Sequence, residues 1–198
     1  MPRSRRYSPP NCVQHLINRG NDRQCLFDCR EEFEEFLDLM RWAKRQCPIR
    51  IVAYVLMANH WHFVVWPEEK DSVARFVHRL CTTHAIRRRR MTNTIGEGHI
   101  YQGRYKPFTI DSEIYYYRVL RYVEANPLRA GLVRSAKDWR WSSLAERLGT
   151  PRGLLDSGPL PLPDNWVQSA DAALPPDFLK DVRKNLRVHG SGRRAREV

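Results

Sequence analysis

No apolar run in this sequence is suited to crossing a membrane. The strongest, residues 51–66 (IVAYVLMANHWHFVVW), falls short of the roughly 20 apolar residues a spanning helix needs and contains two histidines and an asparagine. A secretory leader is missing as well: MPRSRRYSPPN is basic, but no apolar segment follows it. Cysteines are few and irregular, at Cys12, Cys25, Cys29, Cys47 and Cys81. An odd number, with a C-x-x-x-C spacing at best, argues against a disulfide framework and against a zinc site. Internal repeats are absent. These shortages point to a cytosolic chain with reduced thiols. At 198 residues it is long enough for one well-cored domain with appended elements.

Acidic residues are also in short supply. Lys and Arg outnumber Asp and Glu by 34 to 22, a formal net charge of +12. The excess is clustered. Arg3, Arg5 and Arg6 open the chain, Arg87, Arg88, Arg89 and Arg90 form a block, Arg104 and Lys106 follow, and the C-terminal end is basic again. Clusters of this kind suit a polyanion, and the aromatic residues among them suit stacked bases. Solvated charged faces are the plainer reading of the same pattern.

What is present centres on residues 51–66. Two apolar runs fold about Ala58–Asn59, and both have apolar residues at odd and even positions. That is the pattern of a central hairpin covered by helices. Strand side chains alternate, so His60 and His62 leave one face and Trp61 the other, where it belongs to the core. Before the hairpin, residues 11–18 read as a first strand and 19–23 as a turn. Residues 30–47 then show helical spacing, with Asp28 as N-cap and Glu31 three residues on. After the hairpin, residues 71–90 form a second helix with the four arginines at its end. Within 99–110 the chain closes with a fourth strand, which Pro107 places at an edge or bulge. Residues 111–126 form a third helix, capped by Asp111 or Ser112.

The order β-α-β-β-α-β, then α, is the ferredoxin-like split arrangement. It predicts an α+β fold: a four-stranded antiparallel sheet with helices on one face and the third helix after the last strand. Residues 11–145 make the domain, and 146–198 a tail that is Pro-, Gly- and Leu-rich, then basic. In that tail 150–176 reads as a linker or irregular appendage, 177–188 as a short basic helix and 190–198 as disordered.

Two histidines two apart on a strand can ligate one divalent metal, or they are simply partly buried, satisfied imidazoles. Tyr122 and Asn126, four apart on the last helix, would share a face. A phenol with a free pKa near 10 attacks phosphorus poorly unless a metal neutralises the phosphate and positions the bond. The plainer readings keep Tyr122 as a core residue and Asn126 as the cap of a short helix starting at Pro127. His84 lies on the apolar stripe of its helix, as a satisfied core residue would. His78 and His99 are lesser ligand candidates.

The run ANHWHF (58–63) resembles the His–hydrophobic–His motif of single-tyrosine transposases. HLINRGNDRQ (15–24), GHIYQGRYK (98–106), LRYVEANPLRAGLV (120–133) and DWRWSS (138–143) resemble the REP-associated tyrosine transposases, in that family's order. The resemblance implies the ferredoxin-like fold and cleavage of single-stranded DNA beside hairpin-forming palindromes with Mg²⁺ or Mn²⁺. It assigns Tyr122 as the nucleophile that forms a 5′-phosphotyrosine, His60 and His62 as the metal pair, and Asn126 as a further polar ligand. Arg87, Arg88, Arg89, Arg90, Arg104 and Lys106 would then contact phosphates. No membrane and no small-molecule substrate is expected, and a monomer more than a dimer. Two rivals stand beside this reading: a non-catalytic nucleic-acid-binding module descended from such enzymes, and a metal-free interaction protein with a basic tail.

Overall fold

A computed structural model describes residues 9–149 and 151–188. The expectations for Arg3, Arg5 and Arg6 and for residues 190–198 lie outside these. The elements are β1 (Gln14–Arg19), α1 (Arg30–Gln46), β2 (Arg50–Met57), β3 (His60–Trp66), α2 (Ser72–Met91), β4 (Lys106–Thr109), α3 (Glu113–Glu124), α4 (Asn126–Arg129), α5 (Ser143–Leu148), α6 (Trp166–Asp171) and α7 (Pro176–Val188). The sheet runs β2-β3-β1-β4, and every pairing is antiparallel. This is the order that the split β-α-β arrangement requires. Pro107 sits in the edge strand β4, where its missing N–H costs no ladder bond on the outer side.

The alternation of β2 and β3 divides the core in two. Tyr54, Leu56, Trp61, Phe63 and Val65 turn to one face, against α1 and α2. Trp61 is fully buried there and stacks on Phe63, 4.2 Å between ring centres. Val55, Met57 and Val64 turn to the other face, against α3. α1 and α2 thus share one face, while α3 covers the opposite one. An extra residue in β2, between Ile51 and Ala53, keeps both faces filled across a bulge. Each large apolar side chain buried this way contributes roughly 1.5–3 kcal/mol.

The hairpin tip is held from outside. Leu26 and Phe27 N–H groups donate to the Ala58 carbonyl, and Gly20 N–H donates to that of Asn59. Gly20 has to be glycine, because a Cβ would collide with the Gln24 carbonyl oxygen. The 20–24 turn is therefore seated directly against the start of β3, which fixes His60.

Two local expectations are corrected. The N-cap of α1 is Cys29, and its side chain makes no capping bond. The Asp28 N–H instead donates to the Glu32 carboxylate at 2.6 Å, while the Asp28 carboxylate is taken by Arg88. The third helix ends at Glu124, because Pro127 starts a new turn, and Ser112 is its cap, accepting from Tyr115 N. Asn126 is thereby the first residue of α4, whose N-cap is Ala125. Beyond residue 145 the composition changes but the packing does not break. Leu154 is fully buried, Asp156 N–H donates to Ile51 O, and Trp166 and Phe178 pack on α3. No helix among the described residues is long and apolar enough to cross a membrane.

Candidate active site

The face of the sheet under α3 carries polar groups at one end. In β1 the residues on this face are His15, Ile17 and Arg19, and the register sets Ile17 opposite His62 and Arg19 opposite His60. His60 and His62 emerge together, as strand alternation requires, with ring centres 5.1 Å apart and planes at 83°. His62 Nδ1 and His15 Nε2 share a hydrogen bond of 2.9 Å, both rings being buried. His60 Nδ1 donates to the Asn59 side-chain oxygen at 2.7 Å.

α3 brings Tyr122 down on this cluster. Its ring lies 5.6 Å from that of His62, edge to face, and 6.0 Å from that of His15. The Arg129 guanidinium sits 4.3 Å over the Tyr122 ring and also donates to the Tyr122 carbonyl. Phe178 of α7 packs against another edge of the tyrosine, 6.3 Å away. Asn126 is buried on the next short helix.

Burial sets the protonation. It pushes His15 down to about 4. His60 also falls to about 4, by burial first and then by the neighbouring Arg19 charge. His62 lies well below its ordinary value, through burial first, then His15, His60, Arg129 and Arg19. At neutral pH all three rings are therefore uncharged, the form that offers a lone pair to a cation. Lys106 of β4 faces the same side, and its pKa is lowered by partial burial and by Arg19. Arg19, Lys106 and Arg129 give the mouth of this site a positive field suited to phosphate.

The residues fit a divalent metal in one respect and fall short in another. Two imidazoles sharing one ion at nitrogen–metal distances of about 2 Å place their ring centres about 5 Å apart, as found for His60 and His62. Both have Nδ1 engaged, which leaves Nε2 for a ligand, and such outer hydrogen bonds are what hold metal-binding imidazoles in place. Among the described residues, however, no group of three or more His, Cys, Asp or Glu side chains could hold a metal ion. Remaining ligands would have to be of another kind.

The structure thus brings together His60, His62 and Tyr122, with Asn126 at the start of the following turn. It adds His15, which the sequence pattern did not single out. The only signal was a histidine at an inward position of an apolar strand. The other described histidines are elsewhere. His84 is in the opposite core, its Nδ1 2.7 Å from the Tyr101 hydroxyl, and His78 and His99 are exposed. The basic residues separate into three groups. Arg88 is buried and ion-paired to Asp28 and Glu32, both at 2.6 Å, and Arg87 pairs with Glu35. Arg89, Arg90 and Arg104 border a cleft beside α2. Of the six basic residues expected to contact phosphates, Lys106 alone joins the histidine face, where Arg19 and Arg129 also stand.

The family model described as "Transposase IS200 like" matches residues 8–126. Among solved structures, the chain is similar to a REP-associated tyrosine transposase bound to a REP hairpin, with 21% identity, a TM-score of 0.62, and coverage of 88% of this chain and 93% of that one. It also matches a transposase from Deinococcus radiodurans at 22% identity, with a TM-score of 0.42, over 63% of this chain and 96% of that one. No curated protein matches the chain.

Proposed function

The chain belongs to the IS200-like transposase family, and from that premise we propose a metal-dependent single-stranded DNA endonuclease and strand-transferase acting beside hairpin-forming repeats. The observation that carries this reading is the convergence of His60 and His62 of β3 and Tyr122 of α3 on one face of the sheet. The hairpin substrate is taken over from the REP-associated neighbour, which was solved on one. Because one chain brings both histidines and the tyrosine together, the site needs no second copy, which supports a monomer. In the cell this activity belongs in the cytoplasm.

His60 and His62 would hold Mg²⁺ or Mn²⁺ through Nε2, with the Asn126 side-chain oxygen as a further ligand. The ion, when bound, withdraws charge from the scissile phosphate. His15 and Asn59 hold the two rings in the tautomers that leave Nε2 open. Arg19 and Arg129 add positive charge where the phosphate would lie. The Tyr122 oxygen attacks phosphorus and the bond to the 3′-oxygen breaks. This forms a 5′-phosphotyrosine; the phenolic proton passes to solvent, and the departing 3′-oxygen takes one from solvent to leave as a 3′-OH. Attack by the same or another 3′-OH on that linkage restores the tyrosine, so no nucleotide is consumed.

The test is covalent trapping. A labelled single strand with a hairpin, drawn from DNA flanking the gene, is incubated with Mn²⁺ or with chelator. Wild type should yield a protein–DNA adduct only with Mn²⁺, and Tyr122→Phe none. Equal cleavage by both proteins would remove Tyr122 from its role. Tight hairpin binding with no adduct from wild type would leave a nucleic-acid-binding module.

A further inference from the structure

Tyr122 is 5% exposed, although the reaction proposed for it sets its oxygen against a phosphate. The rings of His15 and His62 lie beside it, Phe178 packs at another edge, and Arg129 stands over its face. Of these four neighbours only Arg129 is exposed. It is the one member of the enclosure that meets both the tyrosine and whatever enters from solvent.

Its placement follows from a break in the helix. α3 ends at Glu124, Ala125 intervenes, and α4 restarts at Asn126 with Pro127 in its first turn. In an unbroken helix Arg129 would stand about 10.5 Å further along the axis than Tyr122. The restarted turn sets its guanidinium carbon 4.3 Å from the ring centre. Arg129 Nη1 donates to the Tyr122 carbonyl at 3.3 Å. That carbonyl is in the last turn of α3, where a helix leaves acceptors over and favours a cation. Its charge is also felt at His62.

Any cation would serve the helix end. A guanidinium does more, because it is flat enough to stack on a ring and carries five N–H donors in a rigid fork. One donor is spent on the carbonyl, and the others have no protein partner among the described residues. We propose that Arg129 positions the nucleophile: it holds the Tyr122 ring by its face and takes a non-bridging oxygen of the scissile phosphate with its further donors, so that one rigid group sets the distance from phenol to phosphorus. This rests on the Tyr122 reading above and deepens it from a positive field to a fixed contact. The gain is one of alignment, since a misplacement of about 1 Å between reacting atoms can cost ~100-fold in rate. Lysine could neutralise the phosphate but has no plane to lay on the ring.

The experiment follows single-turnover adduct formation with Mn²⁺ on a hairpin-bearing single strand, with urea denaturation beside it. Arg129→Lys should keep the urea midpoint, because it leaves a cation at the end of α3. Its rate at saturating DNA should fall at least tenfold, with the half-saturating concentration within about twofold of wild type. Arg129→Gln, with a flat end group but no charge, should fall at least as far. A wild-type rate in either variant overturns the proposal, and so does a loss that appears wholly as a raised half-saturating concentration. Once the cleaved bond is mapped, phosphorothioate probes test the phosphate contact, with sulfur replacing each non-bridging oxygen in turn. One isomer should slow wild type at least threefold more than it slows Arg129→Lys. Equal sulfur effects in the two proteins overturn the proposal, because a merely structural arginine would give that result. No adduct from wild type would sink the nucleophile reading and this role with it. A wild-type adduct with an undiminished Arg129→Lys rate sinks this role alone.

Discussion

His84 and His62 invite comparison, since each is a buried imidazole beside a tyrosine and each is pushed far below its usual pKa by desolvation. On the α2 face, His84 is closed in by Phe27 and Phe36, and its Nδ1 meets the Tyr101 hydroxyl. The Arg88 charge and the Leu26 backbone also act on it, but no second histidine among the described residues does. On the α3 face, His62 is one of three histidines, with Tyr122 at its edge and Arg19 and Arg129 supplying charge. Burial and a shifted pKa are therefore common to a packed core and to a site. What separates them is convergence of several polar groups toward one open end of the sheet.

The comparison breaks most visibly in catalysis. His62→Ala should lower Mn²⁺-dependent cleavage roughly 100-fold or more, while DNA retention stays nearly intact. His84→Ala should cleave within about twofold of wild type per folded molecule and instead lose about 1–3 kcal/mol of stability, because it strands the Tyr101 hydroxyl. Gel cleavage assays beside urea denaturation would show both. Comparable loss of cleavage in the two variants would erase the distinction.

Acid sharpens what the two histidines share. A histidine neutral in the fold but not in the unfolded chain makes the unfolded state bind more protons below pH 6.5. Stability is thus fully present above that pH and falls as pH drops, until the folded group itself protonates. His15 and His60 cease to contribute near pH 4, and His84 near pH 3. Each costs roughly 1.4 kcal/mol per pH unit across its window. The urea midpoint should fall steadily from pH 6.5 to 4, and His84→Asn should flatten the slope by one proton's share. An unchanged slope would remove His84 from the account.

The smallest effects divide the arginine block along the same line between core and surface. Arg88→Met should cost about 2–3 kcal/mol by stranding the nearly buried Glu32 carboxylate, with DNA affinity unchanged. Arg90→Ala should leave the urea midpoint in place, weaken DNA binding a few-fold and lower the salt slope by about one. Fluorescence anisotropy over a salt series measures the second.

The parts legible in the sequence were those written locally. Strand alternation put His60 and His62 on one face and Trp61 in the core, and helical spacing placed Tyr122. The order of elements carried the sheet. What escaped depends on distant partners. His15 is just an inward strand residue until β3 folds beside it, 47 positions away. Arg88 belongs to a basic block until Glu32 of α1 and Asp28 just before it, 56 and 60 positions upstream, supply their carboxylates. The tail looked irregular because its apolar residues, such as Leu154, Trp166 and Phe178, are spread among prolines. Their partners are on β2 and α3.

The pairing of β1 with β3 has a temporal side. A chain leaving the ribosome carries His15, then His60 and His62, and Tyr122 only afterwards. On the proposed mechanism, a chain that stops before residue 122 carries the histidine pair but no nucleophile. A chain with α3 but no closed sheet has a tyrosine facing nothing. On that reading, competence to break a DNA strand waits until the slow, long-range contacts close.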